Sequence, residues 1–427
     1  MPRKSLRRRA LETMQAKVRK LWMMYHLRES LDEEDSLEDD RLLHQSDLLN
    51  KMMNSRYLFR ASSNRKKRIK FNLEDALSYE SVNYNEEEFL NAFRISRDSF
   101  FLLLETLQEC EAFKSNASAK SSHQRPISYQ LLVFLFRIGR EGNGAGALEI
   151  CGYFGIGKGS VKNYVKRCVA ALLELKEEVV YWPDAMERIE TRNRLSAYGF
   201  RHCVGIIDGT LIILDFRPEA YHECYYSRKS FYALNVLIVC DDRKRIIYYH
   251  AGWPGSTHDN RVFRNCRLFN NRGEYFSQNE YLLGDSAYSS SPIMVQAFKK
   301  QAGQGHLQQN NEFFNTCLAQ VRISSEHCIG ILKGRFKCMK RVNIKLKNEK
   351  KQVEELVDLI GACIVLHNLL IDYKEDDIPS SWYENVNEDI DWGMYDEEEE
   401  DIPEVTFQDT TDRRKYVFNS LVNNFLI

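Results

Sequence analysis

Residues Cys203–Leu214 form a run of apolar and β-branched residues that carries one acidic side chain, Asp208. A run of this kind is typical of a buried β-strand. Gly209 follows the aspartate, and we expect it to turn the chain from a first strand, Cys203–Ile207, into a second apolar run. An ionised carboxylate beside a core strand is costly unless it is paired or holds a cation. Asp208 is therefore the first residue to consider as a metal ligand.

The charge of the chain is unevenly distributed. The formal net charge of the 427 residues is −1, but residues 372–412 contain 17 acidic residues and one basic residue. Residues 1–371 contain 56 basic and 44 acidic residues. This basic body suits a polyanionic partner such as DNA, although a protein with a charged surface and an unrelated acidic tail has the same composition.

Cysteine usage and hydropathy favour an intracellular protein that does not enter a membrane. The 11 cysteines are scattered without a C-x-x-C pair, so we expect reduced thiols, as in the nucleus or the cytoplasm. The basic start of the chain leads into no apolar core of a secretory signal. The longest apolar run, near residues 359–371, is too short for a membrane span and predicts a buried helix, with His367 and Asn368 as a satisfied buried pair.

Patterning divides the chain into four regions and predicts an α/β fold, because a strand-rich stretch is flanked by helices. A basic cluster, Arg65–Lys70, is compatible with a nuclear import signal, a nucleic-acid-binding tail or a solvated linker. The four regions are a charged, mobile N-terminal region (1–85), a helical region (86–198), an α/β domain (199–372) and an acidic C-terminal tail (373–427).

Within the helical region, residues 145–173 predict a helix, a tight turn at Gly155–Gly157 and a second helix. The second helix carries an apolar stripe on one side and basic and amide side chains on the others. A helix-turn-helix of this kind can enter the major groove of DNA, but many helical hairpins with the same pattern never touch DNA. The candidate DNA contacts are Lys162, Asn163, Lys166 and Arg167.

The region from 199 to 372 changes from strands to helices. Residues 321–336 and 353–371 have helical spacing, and residues 260–266 form a shorter helix after a turn. The predicted strands are Cys203–Ile207, Leu211–Phe216, Phe231–Cys240, Arg245–His250 and Tyr281–Gly284.

Four acidic residues stand out by their context. Asp208 and Asp285 follow apolar strands, Asp259 opens a helix after a turn, and Glu326 lies on a predicted helix. Clustered carboxylates repel each other, and oxygen ligands with open positions select hard ions such as Mg²⁺ or Mn²⁺. Two such ions can activate water and stabilise a leaving oxygen in phosphodiester cleavage. Spacing alone is weak support, since the chain contains 61 acidic residues.

Basic residues accompany these carboxylates. Lys333 lies seven residues after Glu326, on the same helical face, and Arg335 lies on a neighbouring face, so both are candidates for contact with a phosphate backbone. The alternative is an i,i+4 ion pair between Arg322 and Glu326 on a surface helix.

Arg228 and Lys229 lie in a loop beside two tyrosines, Tyr225 and Tyr226. Positive charge and aromatic faces together suit contact with phosphates and bases. Packing at the rim of the sheet, with the charged groups in water, fits the same residues equally well.

Five short motifs occur in an order that resembles the PIF/Harbinger transposases and their domesticated, HARBI-like nuclease relatives. The resemblance runs from about Phe89 to Asp372 and includes the helix-turn-helix. The motifs are Ile206–Thr210, Tyr226–Ser230, Gly252–Asp259, Gly284–Tyr288 and Glu326–Phe336.

The resemblance implies an RNase H-like core with a DDE-type metal site, in a mixed sheet with flanking helices. It implies Asp208, Asp285 and Glu326 as the catalytic triad and Asp259 as a further ligand of Mg²⁺ or Mn²⁺. It also implies a nuclear protein that acts on DNA, possible pairing into a homodimer, and, by analogy with some relatives, a separate Myb-like or SANT-like accessory protein.

Two departures from the family pattern concern residues near the predicted site. Ala287 replaces a glycine that often follows the second aspartate, and a long interval separates Asp285 from Glu326. All four acidic positions are retained, so the leading hypothesis is a metal-dependent DNA endonuclease or transposase. The alternatives are a catalytically silent DNA-binding or chromatin protein that uses the helix-turn-helix and the basic body, and an interaction protein whose acidic tail recruits a basic partner.

Overall fold

The computed structural model describes residues 6–29, 36–54, 71–81, 83–114, 124–299, 307–347, 349–375, 379, 382 and 410–425. The chain divides into two compact units between Arg68 and Ile69. In the first unit, helix α1 (Leu6–Glu29) packs against helix α2 (Ser36–Asn54). The basic cluster predicted at residues 65–70 lies outside the described residues.

The second unit begins with helices that build a core of aliphatic and aromatic side chains. A left-handed residue, Arg94, whose φ is 68°, separates the second and third of these helices. The helices before the sheet are α3 (Leu73–Leu77), α4 (Glu86–Phe93), α5 (Arg97–Leu107), α6 (Ile127–Ile138), α7 (Ala147–Phe154), α8 (Lys158–Glu174), α9 (Lys176–Val179) and α10 (Ala185–Ser196).

Helices α7 and α8 occupy the segment that predicts a helix-turn-helix. Helix α7 ends at Gly155, which adopts the left-handed conformation with φ 66° and so turns the chain without the strain a Cβ would add. Val161, Cys168 and Leu172 bury one face of α8. Two helices joined by a short turn are therefore present, while their contact with DNA stays a prediction.

A six-stranded mixed sheet forms the centre of the second unit. Its strand order is β3-β2-β1-β4-β5, with β6 pairing with β1. Strands β1, β2 and β3 are antiparallel, whereas β4 and β6 run parallel to β1, and β5 runs parallel to β4. The strands are β1 (Cys203–Leu214), β2 (Ala233–Cys240), β3 (Ile246–Pro254), β4 (Tyr281–Gly284), β5 (Met294–Gln296) and β6 (Arg341–Val342).

The turn predicted at Gly209 is wrong, because β1 is one continuous strand. Asp208 pairs with Ile238 and Gly209 pairs with Leu237, so the ladder to β2 passes through both residues. The second apolar run continues the same alternation, and Ile212 is fully buried. Asp208 therefore lies in the middle of a central strand rather than at its end.

Helices return after β3 and cover the sheet. These helices are α12 (Asp259–Arg264), α13 (Arg267–Asn270), α14 (Arg272–Tyr275), α15 (Gln309–Arg335) and α16 (Glu349–Asp372). One further short helix, α11 (His222–Tyr225), lies earlier, between β1 and β2. A last helix, α17 (Thr410–Phe425), lies in the region predicted as an acidic tail.

Helix α17 packs on the body of the second unit. Val417 and Leu421 are buried in one apolar cluster with Phe314 and Leu318 of α15. Arg413 donates a hydrogen bond of 3.0 Å to the carbonyl oxygen of Glu280, and the Arg414 guanidinium lies over the Phe298 ring. The end of the tail is thus part of the fold, and its helix holds the first half of α15.

Helix α16 is the buried helix predicted near residues 359–371. Asn368 is fully buried and bonds to both backbone groups of Ile246, and His367 contacts the carbonyl oxygen of Lys244. The prediction of a satisfied buried pair is confirmed. Among the described residues, no helix is both long enough and apolar enough to cross a membrane.

Candidate functional site

The backbone around Asp208 faces a gap between two strands. On the side of β1 away from β2, pairing with β4 ends at Ile206 and pairing with β6 begins only at Ile213. Asp208 therefore has an open flank although it lies mid-strand, and its side chain is 18% exposed. One carboxylate oxygen accepts a hydrogen bond of 2.8 Å from the Gly209 amide, which fixes the rotation of the group.

The parallel register of β4 sets Asp285 beside Asp208. Ile206 pairs with Leu283, and each aspartate lies two residues further along its strand direction. The Asp285 carboxylate accepts a 3.0 Å hydrogen bond from the Ala287 amide, so the chain turns immediately after the strand. Ala287 is not among the described residues with positive φ, so an alanine fits where the family often has glycine.

Asp259 reaches the same region from the first turn of α12. Asn235 of β2 donates a 2.7 Å hydrogen bond to the Asp259 carboxylate and a 2.9 Å hydrogen bond to the Thr257 carbonyl, which ties the turn to the sheet. The carboxylate packs directly against the Cα of Gly209, where a Cβ would overlap all three of its terminal atoms. Gly209 is needed for this close approach rather than for a turn.

Replacing Gly209 by alanine is expected to lower the free energy of unfolding by about 1–3 kcal/mol, because Asp259 or the strand must move. Chemical denaturation of the metal-free protein measures this. Gly152→Ala is the matched control, since a Cβ at Gly152 on α7 meets nothing within 4 Å. Equal stability of the two variants would contradict the close packing of Asp259 on β1.

Glu326 joins the group through Arg322, one turn earlier on α15. One guanidinium nitrogen of Arg322 lies 3.3 Å from an oxygen of Asp208 and 3.7 Å from an oxygen of Glu326. The i,i+4 pair that competed with the metal hypothesis is therefore present, but on a half-buried face that meets β1. Asp208 and Glu326, which lie more than a hundred positions apart in the sequence, both contact the Arg322 guanidinium.

Burial, assisted by neighbouring negative charge, raises the pKa of two of these carboxylates. Burial raises the pKa of Asp208 to about 7, with the charges of Asp285 and Asp259 adding to the rise and Arg322 opposing it. The pKa of Asp259 is also raised by burial and by Asp285, against the hydrogen bond from Asn235. Burial alone would lower the pKa of Arg322, but its three neighbouring carboxylates raise it. The group carries more negative charge than one arginine neutralises.

The donor chemistry of the site fits a hard divalent cation, because four carboxylates supply oxygen ligands. Two buried polar atoms near them, the Asn235 side-chain oxygen and the Tyr288 hydroxyl, have no hydrogen-bond partner, and the Tyr288 pKa is raised by burial and by Asp259, Asp208 and Asp285. Within the described residues, no three His, Cys, Asp or Glu side chains are close enough to hold one metal ion. Arg322 lies between two of the candidate ligands instead.

The structure separates the two basic residues that follow Glu326. The ammonium of Lys333 donates a 3.0 Å hydrogen bond to the Leu211 carbonyl of β1, beside the gap in the sheet. Arg335 is only 2% exposed and bonds to the Glu375 carboxylate at 2.9 Å, which also accepts hydrogen bonds from Ser96. The prediction that Arg335 contacts DNA is therefore wrong, because its charge is neutralised inside the protein.

The other predicted DNA contacts lie at the surface. Lys162, Asn163 and Lys166 are exposed on α8, whereas Arg167 is half-buried and bonds to Gln130. Arg228 and Lys229 are exposed in the loop before β2, and the positive charge of Arg228 acts to lower the Asp259 pKa. Exposed positive charge is thus present in two places, at Arg228 near Asp259 and on helix α8.

Sequence reasoning missed three residues of the site as functional candidates. Asn235 is the single polar residue in the apolar strand β2, a signal that marks a buried hydrogen-bonding role. Tyr288 belongs to a quoted motif but was given no role of its own. Arg322 was considered only as a surface ion-pair partner, because spacing along a helix does not reveal what the helix faces.

Comparison with known proteins identifies a nuclease-related domain in the same part of the chain. Residues 207–368 match the family model described as DDE superfamily endonuclease. "Protein ALP1-like" of Arabidopsis thaliana is 24% identical over 322 residues, which cover 70% of this chain and 75% of the plant protein. "Putative nuclease HARBI1" of Mus musculus is 22% identical over 300 residues, covering 68% and 79%. No solved structure gives a significant match.

Proposed function

As its matched domain and its relatives support membership of a Harbinger-derived DDE nuclease family, we propose that the chain is a divalent-metal-dependent DNA endonuclease with Asp208, Asp285 and Glu326 as catalytic carboxylates. The observation that carries the proposal is that Asp208 is a neighbour of both other residues, one through the strand register and one through Arg322. Asp208 and Asp285 stand side by side through the β1–β4 register, and Asp208 and Glu326 contact one guanidinium nitrogen.

Asp208, Asp285 and Glu326, with Asp259, would hold Mg²⁺ or Mn²⁺ in this proposal. The bound cation supplies Lewis acidity for attack on phosphorus and for charge on the leaving oxygen. The chain supplies the rest. The Gly209 and Ala287 amides orient two of the carboxylates, and Asn235 holds Asp259 against the strand. Arg228 and Lys229 are positioned to attract phosphate at the exposed rim.

We further propose that the sheet and its flanking helices form an RNase H-like core. The support is the mixed sheet itself, in which an antiparallel meander of β1, β2 and β3 is extended by parallel strands β4 and β5. Two of the proposed ligands come from the central pair of strands and a third from a helix packed on them. Nuclear localisation, a homodimer and a Myb-like or SANT-like accessory protein remain proposals drawn from the family resemblance.

Cleavage of plasmid DNA tests the function directly. The full chain is incubated with supercoiled plasmid in Mg²⁺, in Mn²⁺ and in EDTA, and nicked and linear products are measured on gels. We expect products with either ion and none in EDTA. Products that form equally in EDTA would exclude the metal-dependent mechanism.

A second candidate function is DNA binding without cleavage. The observation that favours it is a set of exposed polar and basic residues on α8, a helix that carries none of the four carboxylates. The residues are Lys162, Asn163 and Lys166. Binding that is equal with and without metal, together with no cleavage in any divalent ion, would favour this function over the first.

Replacing both Lys162 and Lys166 by glutamine is expected to make the slope of log K against log salt concentration less steep by about 2, because each lysine releases about one counterion on binding a phosphate. Fluorescence anisotropy with labelled duplex DNA at several salt concentrations measures the slope. The control is the double variant of Lys350 and Lys351, two exposed lysines at the start of α16. The same change in both double variants would show that α8 is not a special contact.

A further inference from the structure

Arg322 occupies the space between two proposed metal ligands. Its side chain is 15% exposed, and one of its nitrogens contacts both Asp208 and Glu326. A guanidinium and a metal ion cannot both fill the space between the same two oxygens. Each is a cation that relieves the repulsion among the carboxylates, so the two are alternatives at this position.

The contacts of Arg322 are loose for a charge-assisted pair. They measure 3.3 and 3.7 Å, whereas close N–H···O contacts between charged groups are about 2.7–2.9 Å long. The Nε of Arg322 is buried and has no hydrogen-bond partner. A buried guanidinium that uses only some of its N–H donors is held mainly by the charge of the surrounding carboxylates. Displacing it therefore breaks few hydrogen bonds.

We propose that Arg322 is a built-in counter-cation that bridges Asp208 and Glu326 in the metal-free protein and is displaced when a divalent ion binds. The inference rests on the proposed function, since it needs the carboxylates to be metal ligands. Arg322 is a positioning residue in this role. It keeps α15 against β1 and keeps the two carboxylates at one place until the ion replaces it.

Competition by the bridge has a measurable consequence for metal affinity. Protein in the bridged state is not competent to bind the ion, so the apparent Kd equals the intrinsic Kd divided by the fraction of molecules that are not bridged. Removing the guanidinium removes that competition and one positive charge beside the ion. It also leaves Asp208 and Glu326 uncompensated when no metal is present.

Isothermal titration of the full-length chain with Mn²⁺ tests the inference, together with thermal unfolding in EDTA. We expect Arg322→Gln to bind Mn²⁺ at least about fivefold more tightly than wild type, and to unfold at a lower temperature in EDTA. Arg322→Lys keeps the charge without the planar fork, so its affinity should lie between the two. Arg194→Gln, which removes an arginine paired with Asp242, should lower stability without changing Mn²⁺ affinity.

Each result separates this inference from the proposed function. Arg322→Gln and Arg322→Lys that both bind Mn²⁺ no more tightly than wild type, while Asp208→Asn binds weakly, would overturn the role of Arg322 and leave the metal site standing. Mn²⁺ binding that is absent from every variant, or unchanged by Asp208→Asn, would overturn both. If Arg322→Gln fails to fold, the comparison of Arg322→Lys with wild type decides.

Discussion

Asp208→Asn is expected to lower the rate of DNA cleavage at least about a thousandfold, because losing a carboxylate ligand removes several kcal/mol of transition-state stabilisation. Asparagine has the same shape and keeps an oxygen for the Gly209 amide. Burial raises the pKa of Asp208 to about 7 and so disfavours its charged form, but the neutral amide also loses the 3.3 Å contact with Arg322, so folding of the variant is measured separately. Plasmid nicking in Mn²⁺, with circular dichroism to check folding, measures both effects.

The matched control is Asp215→Asn. Asp215 follows the far end of β1 and contacts Asn343 at 3.0 Å and Arg341 at 3.4 Å, away from the other carboxylates. This variant should cleave at the wild-type rate. If Asp208→Asn folds normally and cleaves DNA at the wild-type rate, the assignment of the catalytic carboxylates is wrong.

Leu421→Ala should lower the free energy of unfolding by about 3 kcal/mol, because it opens a cavity in a closed apolar cluster. Leu421 is fully buried where α17 meets α15, and Phe418 of the same helix contacts the Phe298 and Phe314 rings. Urea denaturation measures the loss. Because the cluster also holds the start of α15, we expect cleavage activity to fall with stability.

Tyr416→Ala is the control on the same helix, since Tyr416 is 65% exposed and its loss should change stability by less than about 0.5 kcal/mol. Similar stability of the two variants would mean that α17 does not pack as observed. Deleting all residues after Asp372 would remove α17 and its packing on α15 together with the acidic residues. Recruitment of a basic partner by the acidic tail is therefore better tested by neutralising acidic residues than by truncation.

The proximity of two aspartates could be predicted from the sequence, because both follow apolar runs that form neighbouring strands. Asp208 and Asp285 each follow an apolar run, and parallel pairing of those runs brings both to the same height. The location of Asp208 within its strand could not be predicted. A glycine after an apolar run has the same sequence pattern whether it turns the chain or leaves room for another side chain to pack against the strand. The pairing of Gly209 with β2 and the packing of Asp259 on its Cα decide between the two.

Long-range pairing explains the other misses. Arg335 ends a basic helix and has the pattern of a surface cation, but Glu375, forty residues later, neutralises it in the interior. Strands β5 and β6 contain three and two residues, too few for an alternating pattern. The apolar face of α17 is visible in the sequence, but its binding place on α15 depends on tertiary contacts.

Glu375 links two parts of the chain that the proposed function would use differently. Its carboxylate binds Ser96 at the start of α5 and Arg335 at the end of α15, and one apolar core continues from the helical region into the sheet. A protein that reads DNA with α8 and cuts it beside β1 would then lack an internal hinge between reading and cutting. The distance along the DNA between the bases bound by α8 and the cleaved phosphodiester bond would then be constant.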